Sequence, residues 1–153
     1  MEYPVRKHPR LKHYDYSQNG GYFITICTKN RAPLFWAPSG CLSPAGEVAL
    51  DCLEDIPAHI QGVSVDICCV MPDHVHAILM IESVGPPYMA ADRSKQTLSR
   101  AIQQYKAAVS RRCGQKGIWQ SGFYDHIIRQ FSDLEETRRY IANNPLRRKE
   151  GNG

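Results

Sequence analysis

The chain has 153 residues, of which 42% are hydrophobic and 22% charged, and its net charge is +4. This composition predicts one globular domain over residues 1–153 in the cytoplasm, since no apolar run approaches the roughly 20 residues of a membrane span and the N-terminus lacks the apolar segment of a signal peptide. The six cysteines form no CxxC pair, which favours reduced thiols and argues against a structural zinc site.

Alternation and β-branched residues predict four strands, and apolar residues at helical spacing predict three helices. In chain order these are a strand at 21–28, a helix at 43–58, strands at 63–70 and 74–81, a helix at 97–112, a strand at 123–129 and a helix from 132 to about 144, where Pro145 disfavours continuation. Residues 1–20 are a basic segment, 83–97 a predicted mobile loop and 146–153 a C-terminal tail. The order predicts an α+β fold, in which an antiparallel sheet carries its helices on one face.

Basic residues cluster in three parts of the chain, although the net charge is small. Such clusters are typical of proteins that bind a phosphate backbone, and a solvated basic surface is the open alternative. The clusters are Arg6, Lys7, Arg10 and Lys12; Lys95, Arg100, Lys106, Arg111 and Arg112; and Arg138, Arg139, Arg147, Arg148 and Lys149.

Two histidines stand one residue apart in the stretch CVMPDHVHAILM, at the start of a predicted strand. Side chains two apart on a strand point to the same face, so His74 and His76 project together. Two neutral imidazoles that converge in this way form half of a divalent-metal site, and Asp73 supplies a carboxylate that could orient one of them. The alternative is a partly buried pair whose hydrogen bonds are satisfied within the protein.

The last helix, SDLEETRRYIANNP, has too few apolar residues to serve only in packing. Tyr140 and Asn144 are four residues apart and therefore share one helical face. A phenol and an amide on one face, directed at a metal, would supply a nucleophile and a third ligand. The alternative for Tyr140 is a tyrosine at the edge of the core.

Taken together, these motifs resemble those of the REP-associated tyrosine transposases, a branch of the single-tyrosine HUH transposases. The matching segments occur in the family's order and span nearly all of residues 6–148. They read RLKHYDYSQNGGYFITICT, VMPDHVHAIL, LSRAIQQYKAAVSRR, IWQSGFYDHIIR and LEETRRYIANNPLR. The resemblance implies the HUH endonuclease fold, a ferredoxin-like antiparallel sheet of four to five strands with helices on one face.

The resemblance also implies roles for individual residues. His74 and His76 match the metal ligands of the HUH motif, and Tyr140 matches the nucleophile. Asn144 matches the third ligand, where related transposases often carry glutamine. His126 lies in a family motif without an assigned role, and we expect it only to support the site, as Asp73 would.

The implied activity is a metal-dependent nickase and strand transferase that acts on single-stranded DNA through a 5′-phosphotyrosine, with Mg²⁺ or Mn²⁺ as cofactor. The implied partner is a hairpin-forming repeat in the nucleoid, and the protein would work as a homodimer or a monomer. Two alternatives stay open: a domesticated hairpin-binding protein that does not cut, and a phosphoesterase that uses water. The expected DNA contacts are Arg6, Lys7, Arg10, Lys12, Tyr14, Arg100, Lys106, Arg111 and Trp119.

Overall fold

A computed structural model describes residues 20–82 and 90–151 of the chain. The basic segment up to residue 19 and the first part of the predicted loop, residues 83–89, lie outside the described residues. The elements are β1 (Gly20–Cys27), α1 (Pro44–Glu54), α2 (Ile56–His59), β2 (Val63–Met71), β3 (His74–Ile81), α3 (Ala90–Cys113), β4 (Tyr124–Ile128) and α4 (Phe131–Gly151). None of the helices in this described part is long and apolar enough to cross a membrane.

The four strands form one antiparallel sheet in the order β2-β3-β1-β4. Up to β4, the chain follows the β-α-β-β-α-β sequence of a ferredoxin-like fold, in which α1 and α3 are the two crossover helices. The predicted α+β class and antiparallel sheet are therefore confirmed. The sheet places β3, with its two histidines, in the interior between β2 and β1.

The first face of the sheet is apolar and is covered by α1 and α3. Alternate residues of β1 point to this face, and the largest buried cluster joins Ile24 and Ile26 to Leu53 of α1 and to Leu98 and Ile102 of α3. The side chain of Ser43 caps α1, accepting a hydrogen bond from the Gly46 amide at 3.1 Å, which fixes where the helix begins. We call this surface the closed face.

The second face of the sheet is covered by α4, so the helices occupy both faces. Leu134 and Ile141 of α4 pack on Ile67, Ile78 and Ile128 in a separate buried cluster. As expected, α1 and α3 of the ferredoxin-like part lie on one face of the sheet. The last helix, α4, adds a layer on the opposite face. We call this second surface the site face, because His74 and His76 point to it.

Three helix boundaries differ from those expected from the sequence. The predicted helix at 43–58 is interrupted at Asp55, because Pro57 has no amide to continue the α1 ladder. Residues 90–97, expected in the loop, already belong to α3, where Ala, Arg, Lys and Gln favour a helix. α4 continues through Pro145 to Gly151, past the residue at which the sequence predicted its end.

Candidate active site

The β2–β3 hairpin delivers both histidines to the site face. Its turn is held against the end of β1, where the Thr28 amide and hydroxyl each donate to the Asp73 carbonyl oxygen at 3.0 Å. The strand that follows projects His74 and His76 together, with ring centroids 4.6 Å apart and their Nε2 atoms 3.1 Å apart. The spacing of two residues on a strand thus brings the imidazoles into contact.

The far side of each imidazole has its own partner. His74 Nδ1 lies 2.6 Å from Asp73 Oδ1, and His76 Nδ1 lies 3.0 Å from Thr25 Oγ1 on the neighbouring strand. These contacts orient both rings so that the two Nε2 atoms face one another. Asp73 therefore lies where the sequence predicted, and Thr25 performs the same task for the second histidine.

The histidine pair is compatible with a shared divalent cation. The Nε2 atoms are 3.1 Å apart, within hydrogen-bonding distance of each other, and two imidazole nitrogens this close could also serve as ligands of one ion. No cluster of three or more His, Cys, Asp and Glu side chains suited to a metal occurs in the described ranges.

The electrostatic environment keeps His76 neutral. Its side chain is only 5% exposed, and burial, together with the nearby charges of His74 and Arg31, lowers its pKa to about 4. A neutral imidazole is the form that binds a metal. Burial by itself would raise the pKa of Asp73, but hydrogen bonds from His74 and Arg31 outweigh it and hold that pKa below its usual value.

Helix α4 of the same chain places Tyr140 beside His76. The Tyr140 ring centroid lies 5.7 Å from that of His76 and 6.0 Å from that of Phe23 on β1, and both contacts are edge-on. The side chain is 46% exposed, so its phenol is open to solvent. The structure therefore unites the two predicted halves of the site, the histidines and the tyrosine, within one chain.

A buried ion pair fastens this helix to the sheet. Arg138 donates to both carboxylate oxygens of Asp66 on β2, from Nε at 2.7 Å and from Nη2 at 2.6 Å, and from Nη1 to Glu135 at 2.8 Å. Asp66 stands where the register of β2 with β3 shifts. Arg138 was expected in a basic cluster facing DNA, but it is 3% exposed and instead positions the turn that carries Tyr140.

Asn144 and His126 lie on the same side of the sheet as the two histidines. Asn144 is half-buried, one helical turn beyond Tyr140. His126 of β4 is exposed and pairs with Phe23 of β1, which places it on the site face, two strands away from His76. Both residues are thus on the expected side of the sheet.

Most of the other expected DNA contacts do not join the site. Arg100 and Arg111 are exposed on α3, which packs on the closed face, opposite the histidines. Lys106 is engaged within the fold, where Nζ donates to the carbonyls of Gln120 and Gly122. Arg100 and Arg111 are therefore separated from His76 by the sheet, and Lys106 is occupied by its hydrogen bonds to Gln120 and Gly122.

Trp119 was expected to stack on bases, but it is a packing residue. Its Nε1 donates to the Lys106 carbonyl at 3.2 Å, and its ring lies against those of Phe35 and Tyr105. The remaining expected contacts, Arg6, Lys7, Arg10, Lys12 and Tyr14, lie outside the described residues.

Sequence reasoning missed Thr25, Arg31 and Phe23. Thr25 is directly opposite His76 in the β1–β3 register, so strand pairing would have been needed to find it. Arg31 donates from Nε to Asp73 at 3.2 Å and adopts a positive φ of 55°, an unusual conformation for arginine. The neighbouring sequence did not lead us to predict this backbone conformation at Arg31.

Comparison with known proteins places the chain in a family. The sequence profile of the family described as Transposase IS200 like matches residues 17–144. The chain belongs to this family. An uncharacterized protein of Haemophilus influenzae is 33% identical to this chain, and the match covers 92% of this chain and 88% of the relative.

Two further relatives share the resemblance that the motifs predicted. A REP-associated tyrosine transposase of Escherichia coli is 26% identical, over 86% of this chain and 70% of the relative. A solved structure of a REP-associated tyrosine transposase bound to a REP hairpin covers 84% of this chain and 68% of its own, with a TM-score of 0.63 and 22% identity. The resemblance to these transposases is confirmed, and the structural match shows a common fold.

Proposed function

We propose that this IS200-like transposase cuts and rejoins single-stranded DNA, with Tyr140 as its nucleophile. The observation that carries the proposal is the position of Tyr140, half-exposed and in edge contact with His76 at 5.7 Å between ring centroids. A core-edge tyrosine would need no paired imidazoles beside it. A phenol placed beside two oriented histidines suits attack on a bound phosphate.

The chemistry divides into two reversible exchanges at phosphorus. Tyr140 Oη attacks the phosphorus of a DNA phosphodiester, an O–P bond forms, and the bond to the 3′ oxygen breaks. The phenol releases its proton to solvent and the departing 3′ oxygen takes one up, which leaves a 5′-phosphotyrosine and a 3′-hydroxyl. The 3′-hydroxyl of another strand then attacks the phosphotyrosine, which rejoins DNA and restores Tyr140 without an outside energy source.

A divalent cation, Mg²⁺ or Mn²⁺, would be held by the Nε2 atoms of His74 and His76, with the Asn144 amide as a further ligand. Such an ion neutralises charge that develops on a phosphate and polarises the phosphorus. The protein's own contribution is orientation: Asp73 and Thr25 fix the imidazoles, and the Arg138–Asp66 pair fixes the helix that presents Tyr140.

The DNA partner is proposed by analogy with the related transposase bound to a REP hairpin. We infer that this chain likewise binds a hairpin-forming repeat, in the cytoplasm at the nucleoid, and cuts the unpaired strand next to it. The basic residues before position 20 would contact the hairpin backbone. Arg6, Lys7 and Arg10 remain the main candidates.

An adduct assay tests this function. The protein is mixed with single-stranded DNA that is labelled at its 3′ end and carries a repeat hairpin from the same genome, with Mn²⁺ or Mg²⁺, and then denatured. We expect a labelled complex that resists denaturation and disappears with EDTA or with the Tyr140→Phe variant. Cleavage that survives Tyr140→Phe would contradict the proposal and favour water as the nucleophile. Tight binding without cleavage would also contradict it and favour a hairpin-binding protein.

A further inference from the structure

A small cavity lies beside the histidines at the end of β1. It has a volume of about 170 Å³ and is lined by Cys27, Gln120, Ser121, Gly122, Phe123 and Tyr124. Pockets for drug-sized ligands are commonly some 300–1,000 Å³, so this cavity suits a single flat ring. None of the residues assigned to the transfer reaction lines it.

The strand register places this cavity next to the candidate active site. Cys27 of β1 is the direct partner of His74, and Thr25, the partner of His76, pairs on its other side with Tyr124 of β4. Side chains of directly opposed residues are about 5 Å apart and share one face. A group in the cavity would therefore lie one strand away from a phosphate at the histidines.

The lining has the chemistry that recognises a nucleobase. Tyr124 is 65% exposed although it belongs to a strand, and an exposed ring provides a stacking surface for a base. The exposed Gln120 carries an amide, a group that pairs with base edges, and Ser121 adds a hydroxyl. Arg31 reaches the rim, where Nη1 lies 3.5 Å from Cys27 Sγ, and adds a cation for the adjoining phosphate.

The cavity is also held in shape by the fold. The backbone N–H of Gln120 donates to the backbone carbonyl of Cys27 at 3.0 Å, which ties the cavity wall to the end of β1 and leaves the Gln120 side chain available. Lys106 Nζ donates to the carbonyls of Gln120 at 3.0 Å and Gly122 at 2.6 Å. These bonds organise the wall before any ligand binds, so little ordering is needed on binding.

We propose that this cavity binds one unpaired nucleobase that flanks the phosphate held at the histidines. The inference rests on the proposed function, because it takes the ligand to be a single DNA strand. Tyr124 stacks on the base, Gln120 contacts its edge, and together they set the position at which Tyr140 cuts.

Binding measured without cleavage tests the cavity separately from the reaction. The Tyr140→Phe protein is titrated into a fluorescent oligonucleotide that has a repeat hairpin and an unpaired tail, and anisotropy is recorded. Each tail position is replaced in turn by an abasic nucleotide. We expect one position at which removal of the base weakens binding about five- to 150-fold, the range for loss of a stacked base.

The same series is repeated in three variants that also carry Tyr140→Phe. Tyr124→Ala should abolish the loss at that position and leave the others unchanged, whereas Tyr124→Phe, which keeps the ring, should retain it. Phe131→Ala is the matched control, because Phe131 is an exposed aromatic residue outside the cavity lining, and it should also retain the loss.

The outcomes separate the cavity from the proposed function. If Tyr124→Ala shows the same position-dependent loss as its parent, or if no position stands out in the parent, the cavity binds no base and only this inference fails. If the parent does not bind the oligonucleotide at all, the proposed function fails together with it.

Discussion

The two faces of the sheet differ in what covers them and in what they bury. The closed face packs Ile24 and Ile26 of β1 against Leu53 and Leu98, in a cluster that is almost entirely apolar. The site face buries a histidine under a helix whose tyrosine remains half-exposed. Because adjacent residues of one strand point to opposite faces, the same strands can stabilise the fold on one side and build a reactive site on the other.

The site face is also the more polar of the two in its packing. Asp66, His76 and Arg138 are all buried there, and each has a polar partner within the fold. Buried charges and imidazoles are costly unless they are paired. The apolar packing on the closed face offsets that cost, so variants on the two faces should separate stability from activity.

The largest expected contrast is between two neighbouring residues of β3. His76→Ala should reduce cleavage at least about a thousand-fold, because a metal site that loses a ligand loses several kcal/mol of charge stabilisation. Val75→Ala, on the closed face, should destabilise folding by about 1–3 kcal/mol and leave cleavage per folded molecule unchanged. Single-turnover cleavage and urea unfolding of both variants measure the contrast; equal cleavage rates would refute it.

The next expected effect concerns the ion pair that fastens α4. The Asp66 and Arg138 side chains are 2% and 4% exposed, so Asp66→Asn should destabilise the protein by about 3–5 kcal/mol in urea unfolding. The matched control is Asp51→Asn, which breaks an ion pair with Arg112 whose side chains are 65% and 48% exposed and which should cost at most about 1 kcal/mol. Similar losses in the two variants would show that the buried pair does not hold the helix.

A smaller effect is expected at the hydroxyl that orients His76. Thr25→Val preserves the shape of the side chain but removes the 3.0 Å contact to Nδ1, and should weaken divalent-metal affinity about 10- to 100-fold. Thr25→Ser keeps the hydroxyl and should stay close to the parent. Calorimetric titration of both variants with the metal measures this affinity. An unchanged affinity in Thr25→Val would mean that the His76 ring is oriented by packing alone.

Local patterns predicted the elements and the direction of the key side chains. A repeat of two placed His74 and His76 on one strand face, and a repeat of four placed Tyr140 and Asn144 on one helix face. The α+β class followed from the succession of elements along the chain. These features depend on residues close together in sequence, which is why the sequence alone was informative.

Contacts between distant segments could not be predicted in the same way. The partner of His76 is Thr25, 51 residues away, and that of Arg138 is Asp66, 72 residues away. Both depend on strand register and on the face that α4 covers, neither of which is written in a local pattern. For the same reason, the sequence did not reveal that Arg138, counted in a basic cluster, is buried against Asp66, or that Trp119 packs on Phe35 and Tyr105.

The most direct test of the account is to locate the covalent bond to DNA. Cleavage after Arg139 and Arg147 by trypsin releases YIANNPLR, a peptide in which Tyr140 is the only hydroxyl-bearing residue. After reaction with single-stranded DNA and nuclease digestion, mass spectrometry should find this peptide carrying a nucleotide through its phosphate. A nucleotide attached to any other peptide, or cleaved DNA with no modified peptide, would contradict the assignment of Tyr140 as the nucleophile.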